Sequence, residues 1–593
     1  MTIDKLGQGW GMYTTTYEYP NGNVFYYNID NGTTYKLTSQ TGAIEVKGKE
    51  TLTVGDELSA VGVYSISRIE DETLFNQIVV LYKHGDANQD GEYNSKDLVA
   101  AKLAQAGDAG QKECLAGTYA ADIDRSGTVE DIDLLALRRA LVSEDAAATL
   151  TVSKGNSVLN GVMPIVGFGG PTGDLLTEET YSLIASLGIN TVTFAGNDYS
   201  NEADEVKKHL QFTEKFGLKL YVNDDHLHQG YESMTFEEKL ADMPSRVGLY
   251  SMYESFLGLH IIDEPVTGSY YHKDEKDDTK TKKNISNYAD DIALFKNSAN
   301  LNGYVNLCPY YSSTGTYGAT DDSYKAYLQE TFVAKEMDVL SYDNYPFRLD
   351  KSITIGNYFT RYEKISNYTD FYKNLEFART QAQDAGKPFW VYAQAGVYAT
   401  DIPLSVDTKY LPTASEQQWE ISASLAMGAQ GVQYYQLVQT EEWIACKDGD
   451  VDYNRAGLIT LQGKENTTYY DAAKETNTFI AAVDHILMNA ESKGVIVNDS
   501  TASSNLTDAV KTSYNGLQVG GSNALVGCFD YFGKTVLLVV NCDTSASQTI
   551  TLKFDAEHEL TVTEYDTTTE LSGTYSELEM SVGAGQCTLV VVD

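Results

Sequence analysis

The run GLHIIDEP at residues 258–265 ends a short apolar stretch in two adjacent carboxylates, Asp263 and Glu264, followed by Pro265. Neighbouring carboxyls in a partly apolar setting are acid/base equipment. Mutual repulsion and desolvation both favour the protonated form, so one of the pair can hold a proton near neutral pH, and by this logic Glu264 is the acid. The same tripeptide is also an ordinary way to start a loop or cap the next helix, so the setting has to decide. Other strand-like runs also end in polar or aromatic residues: Asp224, Asp225 and His226; Tyr342, Asp343 and Tyr345; Tyr392 and Gln394; Tyr434, Tyr435 and Gln436, with Trp443 shortly beyond. Carboxylates, amides and aromatic rings with almost no cation suit the gripping and cleaving of a neutral sugar, and suit phosphate poorly. His226 and His228 with Asp224 form an alternative metal set, whereas His260, four residues before Glu264, reads as a hydrogen-bonded core residue.

Something must bring these strand ends together. Eight strand-like runs, at 163–170, 190–196, 218–224, 257–265, 304–310, 338–347, 387–395 and 431–437, alternate with stretches whose apolar residues recur every three or four positions. Eight β-then-α repeats are what a (β/α)8 TIM barrel requires, and there every strand end converges on one face. An open doubly wound sheet fits less well, because no glycine-rich phosphate turn follows an early strand.

With the barrel and the DEP tripeptide in view, the chain resembles a clan A-like glycoside hydrolase. In that clan an acid/base Glu follows strand four in an NEP motif. The resemblance gives that role to Glu264, with Asp263 in place of the Asn. The clan's nucleophile is a Glu at the end of strand seven, where this chain has Gln394, and an amide cannot form a glycosyl ester. Three routes stay open. Asp343 or Asp263 is the second carboxylate. Alternatively, Asp263 and Glu264 work as in substrate-assisted N-acetylhexosaminidases, with Tyr342 orienting an acetamido group. In the third route the barrel is a noncatalytic glycan-binding component. Asp225, His226, Tyr342, Tyr345, Gln394, Tyr435 and Trp443 are the substrate-binding candidates, and Tyr310, Tyr311 and Tyr398 further stacking candidates.

A second kind of chemistry lies upstream. In DANQDGEYNSKD, oxygen side chains fall at loop positions one, three, five, nine and twelve as Asp86, Asn88, Asp90, Asn94 and Asp97, with Gly91 at the sharp turn. DIDRSGTVEDID repeats the pattern with Asp122, Asp124, Ser126, Glu130 and Asp133, and an apolar helix follows each copy. This duplicated calcium loop resembles a type I dockerin. The resemblance implies structural Ca2+ with no catalytic cofactor, a cohesin domain of a scaffoldin as partner, and a secreted, extracellular or cell-surface assembly of cellulosome type. Dockerins read their partner largely through loop positions ten and eleven, here Ser95 with Lys96 and Asp131 with Ile132. Those pairs differ, which argues against two equivalent binding orientations.

Composition sets the limits. The 593 residues carry 84 acidic and 43 basic side chains for a formal charge of −41, which argues against nucleic acid and anionic membrane as partners and fits neutral, hydroxyl-rich ligands better. No apolar run has membrane-spanning length, so no membrane insertion is expected. The six cysteines are scattered without metal spacing. The chain opens MTIDKLGQGW without an apolar signal region, and the expectation is a segment of a longer secreted chain. Four domains are expected: a small module of short antiparallel strands at 1–84, a dockerin-like domain at 85–145, the barrel at 160–492 and a C-terminal antiparallel β-sandwich at 493–593.

Overall fold

The computed structural model describes residues 59–70, 73–108, 115–124, 128–142, 159, 161–195, 203–224, 236–250, 253–265, 293, 302–312, 320–354, 360–396, 412–439, 456–565 and 567–593, with short strands elsewhere up to 58 and within 271–282; some segments are described by backbone alone. Contacts divide the chain into two units. One comprises 1–163 with 248–253 and 484–490, and the other 164–247, 254–483 and 491–593.

The second unit holds a closed, all-parallel eight-stranded barrel. Its strands are β1 (Ile165–Gly170), β2 (Thr191–Ala195), β3 (Lys219–Val222), β4 (Phe256–Asp263), β5 (Asn302–Leu307), β6 (Leu340–Tyr342), β7 (Phe389–Gln394) and β8 (Val432–Tyr435), and β8 pairs back to β1. Each expected run overlaps one of these strands, with β4 and β5 starting one and two residues earlier than expected. Strands covered on both faces have no solvent side to mark with polar residues, which is why β1 and β7 are buried along their whole length. Helices return the chain between strands: α1 (Glu178–Ser186), α2 (Ala203–Lys215), α3 (Phe236–Tyr250), α4 (Asp321–Leu328), α5 (Tyr368–Ala385), α6 (Ala414–Ala426) and α7 (Tyr470–Leu487). Local sequence sets their ends. Thr413 caps α6 in a reciprocal pair with Glu416, and Gly386 ends α5 at φ 62°, a conformation open to glycine. Gly431, before β8, is required by packing: a Cβ there would stand 2.4 Å from Cδ1 of the buried Trp390.

The barrel interior is aromatic below and polar above. Tyr304 lies 5.0 Å from Tyr221, 6.0 Å from Trp390 and 4.9 Å from His260, centroid to centroid. His260 is buried and bonds Thr193 through Nδ1, the core role read from its spacing.

C-terminal to the barrel, a six-stranded and a three-stranded sheet, antiparallel throughout, share one apolar core that includes Val526, Leu537 and Val590 from one sheet and Ile550, Leu552 and Val582 from the other. Helix α6 is buried from Glu416 to Ala426 because barrel lies on one side and sheet on the other. The Glu376 carboxylate of α5 accepts from Thr507 N (2.9 Å), Thr507 Oγ1 (3.0 Å) and Ala509 N (2.9 Å). These contacts place barrel and C-terminal sheets in one unit.

In the first unit, Gly62–Glu70 and Thr73–Tyr82 pair antiparallel, but Asn23–Asn28 pairs with Thr73–Tyr82 in parallel. This corrects the expectation of antiparallel strands throughout: a long connection between Asn28 and Gly62 permits a crossover that a tight hairpin does not. A short helix, Leu115–Ala121, packs Ala116, Tyr119 and Ala120 against Val80 and Tyr82, and it separates the two loop-and-helix repeats.

Candidate active site

The C-terminal ends of β4, β5 and β6 bring three carboxyls together. Asp263 closes β4, Glu264 follows it, and Asp343 follows β6. Glu264 sits at φ 43°, a left-handed backbone that a glutamate adopts at a cost of order 1–3 kcal/mol, and its N–H donates to the carbonyl of Asn306 (2.9 Å). Its carboxyl is hydrogen-bonded to that of Asp343. Asn306, from β5, bridges the other side: its Nδ2 donates to Asp263 Oδ1 (2.9 Å) and to Asp343 Oδ1 (3.2 Å).

Burial dominates the electrostatics. It pushes the Asp263 carboxyl up to about 7, helped by the charge of Glu264 and opposed by the Asn306 hydrogen bond. It holds Asp343 well above the usual carboxylate range, with Glu264 and Asp263 adding repulsion. Glu264 is raised as well, again by burial, against a lowering from its hydrogen bond to Asp343. Two carboxyls in direct contact cannot both be ionised cheaply, so a proton is shared between Glu264 and Asp343 and the pair titrates as one system.

An aromatic wall borders the cluster. Phe168, Tyr345 and Tyr392 pack together with Tyr435, which keeps partial solvent contact, and the Tyr345 and Tyr435 rings are 5.4 Å apart. Tyr345 and Tyr435 thus meet as the sequence implied, whereas Phe168 joins them from β1 without a sequence signal beyond its place in the strand.

Several candidates stand elsewhere. Successive strand residues face opposite sides, and because Ser341 points into the barrel, Tyr342 points out towards Tyr324 of α4. Its hydroxyl is buried without a hydrogen-bond partner, on the outward side of the strand and not on the side where it was expected to orient an acetamido group. Gln394 is committed to backbone: Oε1 accepts from Phe347 N (2.8 Å) and Nε2 donates to Phe347 O (2.8 Å). Phe347 opens an antiparallel hairpin, Phe347–Thr354 with Thr360–Ser366, so the amide at the end of β7 clamps an insertion beside the site. Asp224 pairs with Arg246 Nη1 at 2.9 Å. Asp225, His226, His228, Tyr398 and Trp443 lie outside the described residues.

Asn306 and Tyr304 were missed. They are two apart in YVN and share the inward face of β5, a period-two signal carried by neutral side chains and not by carboxylates.

In the first unit the duplicated loops repeat one geometry. Asp97 and Asp133 each occupy the third position of a helix, Ser95–Gln105 and Asp131–Leu141, and accept from Asn94 N and Glu130 N, both at 2.7 Å. Gly91 turns at φ 86° and donates to Asp86 Oδ2 (3.0 Å), while the buried Asp86 Oδ1 has no hydrogen-bond partner. Burial, then repulsion from Asp97 and Asp90, pushes Asp86 up to about 6. In the second loop, oxygens of the buried Asp122, Asp124 and Asp133 lie within 4.8 Å of one another. Asn88, Asp90 and Asn94 are tied within the first loop by Asp90 N to Asn88 Oδ1 (2.8 Å) and Lys96 N to Asn94 Oδ1 (3.0 Å). Glu130 accepts from Thr128 Oγ1 (2.8 Å), and Ser126 lies outside the described residues. Buried convergent carboxylate oxygens fit a hard dication such as Ca2+.

Comparison with known proteins bears on the barrel. Residues 319–478 match the glycoside hydrolase family 42 model, described as Beta-galactosidase, over roughly a quarter of the chain. This match supports a glycoside hydrolase. It takes in Asp343 and Gln394 and stops short of Asp263 and Glu264. No curated protein matches the chain. Among solved structures, a beta-galactosidase from Bacillus circulans sp. alkalophilus aligns at 10% identity over 73% of this chain and 99% of its own, with a TM-score of 0.43. A beta-galactosidase from the psychrophilic Marinomonas ef1 aligns at 14% identity and a TM-score of 0.37, over 57% of this chain and only 63% of its own length.

Proposed function

We propose that the barrel hydrolyses a glycosidic bond with Glu264 as general acid. The observation that carries this reading is the Glu264–Asp343 hydrogen bond inside a three-carboxyl cluster at the convergent strand ends. The shared proton rests on Asp343, since their hydrogen bond raises Asp343 and lowers Glu264; it passes to Glu264 as Glu264 protonates the glycosidic oxygen and the bond to the anomeric carbon breaks. Asp263, held by Asn306, is the second carboxylate, placed to stabilise positive charge on the sugar ring and to orient the attacking water. Water adds its oxygen to the anomeric carbon and gives up one proton to the cluster, which restores it.

Contact between Glu264 and Asp343 is closer than the roughly 5–5.5 Å of a retaining pair or the 6.5–9.5 Å of an inverting one. Asp343 therefore tunes Glu264 and does not face it across the sugar. That observation keeps a second reading alive, attack by the substrate's own 2-acetamido group.

A β-galactoside is the first substrate to try, on the strength of the family match. Nitrophenyl galactosides, glucosides and N-acetylhexosaminides should be compared for the parent, Glu264→Gln and Asp343→Asn. A loss of about 10²–10⁴-fold in kcat for Glu264→Gln supports the acid role. Binding without cleavage across the panel, with both variants changing affinity alone, would hand the site to glycan recognition.

The upstream loops belong to the same reading. They hold structural Ca2+ through Asp86, Asn88, Asp90, Asn94 and Asp97 and through Asp122, Asp124, Ser126, Glu130 and Asp133, and as a dockerin-like module they tether a secreted enzyme to a cohesin. Their support is the duplicated sequence pattern and the convergent buried carboxylates.

A further inference from the structure

Beneath the carboxyls, side chains from β5, β6, β7 and β8 make a chain of hydrogen bonds whose direction is fixed by chemistry. Tyr304 has one hydroxyl proton, and it goes to Gln433 Oε1 (2.6 Å), an oxygen that can only accept. Tyr392 must then be the donor in its 2.8 Å contact with the Tyr304 hydroxyl. Gln433 Nε2, which can only donate, points at Ser341 Oγ (2.8 Å). Ser341 Oγ lies 3.2 Å from both the Tyr304 hydroxyl and Asn306 Oδ1; the Tyr304 hydroxyl already accepts from Tyr392, whereas among the described residues Ser341 is the donor to Oδ1, so its single proton goes to Asn306, whose Nδ2 ends the series at Asp263 and Asp343. Every donor points the same way, from Tyr392 to the carboxyls. Tyr304, Asn306, Ser341, Tyr392 and Gln433 are all buried, so water does not compete for these groups.

We infer that Gln433 and Ser341 are positioning residues for the carboxyl cluster, acting through Asn306 to hold its amide nitrogen, and not its oxygen, against Asp263 and Asp343. The inference rests on the reading that this cluster does the chemistry. An asparagine between two carboxyls has two faces of nearly equal shape and opposite polarity. With nitrogen forward it favours the ionised carboxylate. With oxygen forward it repels it. The Ser341 hydroxyl decides between them, because it offers Oδ1 a donor on the far side, and Gln433 fixes that hydroxyl by occupying its oxygen. Aligned hydrogen bonds also polarise one another, so the donor strength at Asn306 Nδ2 depends on links that never touch substrate.

The test reads protonation and turnover separately. Carboxyl-¹³C-labelled aspartate is titrated by NMR in the parent, Ser341→Ala, Gln433→Leu and Asn306→Ala, with thermal unfolding confirming that each variant folds. The expected result is an upward move of the Asp263 titration, about one unit for Asn306→Ala and smaller for Ser341→Ala and then Gln433→Leu. The limb of the kcat/KM pH profile that reports this carboxyl should move with it while KM stays within twofold. Unmoved titrations in folded Ser341→Ala and Gln433→Leu would overturn the inference even if Glu264→Gln is inactive. If the parent cleaves nothing, the catalytic reading fails by itself, and the graded titration still establishes or removes the positioning chain.

Discussion

Three carboxyls in one buried site oppose folding, and the sign of that effect can be worked out. Asp263 rises from 3.8 to about 7 on folding, so between those values the folded protein holds a proton that the unfolded chain releases. Stability linked to this group is fully present below pH 3.8 and is lost as pH rises through about 7. Asp263→Asn removes this ionisable group and its repulsion with Glu264. It should raise the unfolding midpoint at pH 8 by on the order of 1–3 kcal/mol of stability and change little at pH 4, because Asp263 keeps some solvent contact and the full linkage does not apply. Calorimetry at the two pH values checks this, and an equal effect at both would remove the repulsion argument. Gln394 gives a second outcome. An ionised Glu in its place could accept from Phe347 N but not donate to Phe347 O, so Gln394→Glu should cost about 1–3 kcal/mol and leave the clan's missing nucleophile unrestored. Restored turnover with unchanged stability would contradict it. Residue types at strand ends were readable: Asp263, Glu264 and Asp343 do converge. Their orientation was not. A strand end read as an inventory ignores the alternation that turns Tyr342 outward and Asn306 inward.

At the scale of elements, periodicity carried most of the information. Eight apolar runs and the intervening three-and-four spacing describe the barrel, because strands buried on both faces and amphipathic helices leave different patterns. What lacked a pattern went unseen: the hairpin Phe347–Ser366, the seven-residue helix Leu115–Ala121, and the parallel partner of Thr73–Tyr82, which depends on chain crossover and not on composition. Helix α6 shows the limit from the other side. Its Gln417, Glu420, Ser422 and Ser424 are polar, yet all are buried and bonded, Gln417 to Gln394 O, Glu420 to Gln394 N, Ser422 to Gly585 O and Ser424 to Glu420 O. A helix covered on two sides needs polar groups whose partners come from both. Glu376 works similarly on α5, and a buried carboxylate accepting three hydrogen bonds leaves three donors unmet when removed. Glu376→Ala should cost about 3–5 kcal/mol and loosen the C-terminal sheets from the barrel. Faster hydrogen exchange around Thr507 and Ala509, with the barrel strands still protected, is the expected signature. Uniform exchange across the unit would mean that Glu376 supports global stability only.

For the whole molecule, the formal charge of −41 is a background against which the two loops stand out as places where acidity is concentrated and buried. Asp86, Asp97, Asp122, Asp124 and Asp133 are each almost completely removed from solvent, and carboxylates confined this way repel unless a proton or a cation intervenes. Ca2+ held as proposed would stabilise only the folded loops, with a contribution growing as RT ln(1 + [Ca2+]/Kd), about 4 kcal/mol at a thousandfold excess over Kd. Chelation with EGTA at pH 7.5 should therefore lower the unfolding of the first unit. The barrel and C-terminal sheets, whose carboxyl cluster is held by Asn306 and a shared proton instead, should unfold as before. Asp133→Ala should reproduce the loss for the second loop without chelator, because it removes both a ligand and the acceptor for Glu130 N and Ile123 N. Mg2+ should restore little, since its short octahedral bonds suit a wide carboxylate loop poorly. An unfolding profile indifferent to EGTA would mean that protons, not calcium, satisfy these carboxylates, and the tethering role assigned to the loops would lose its physical basis.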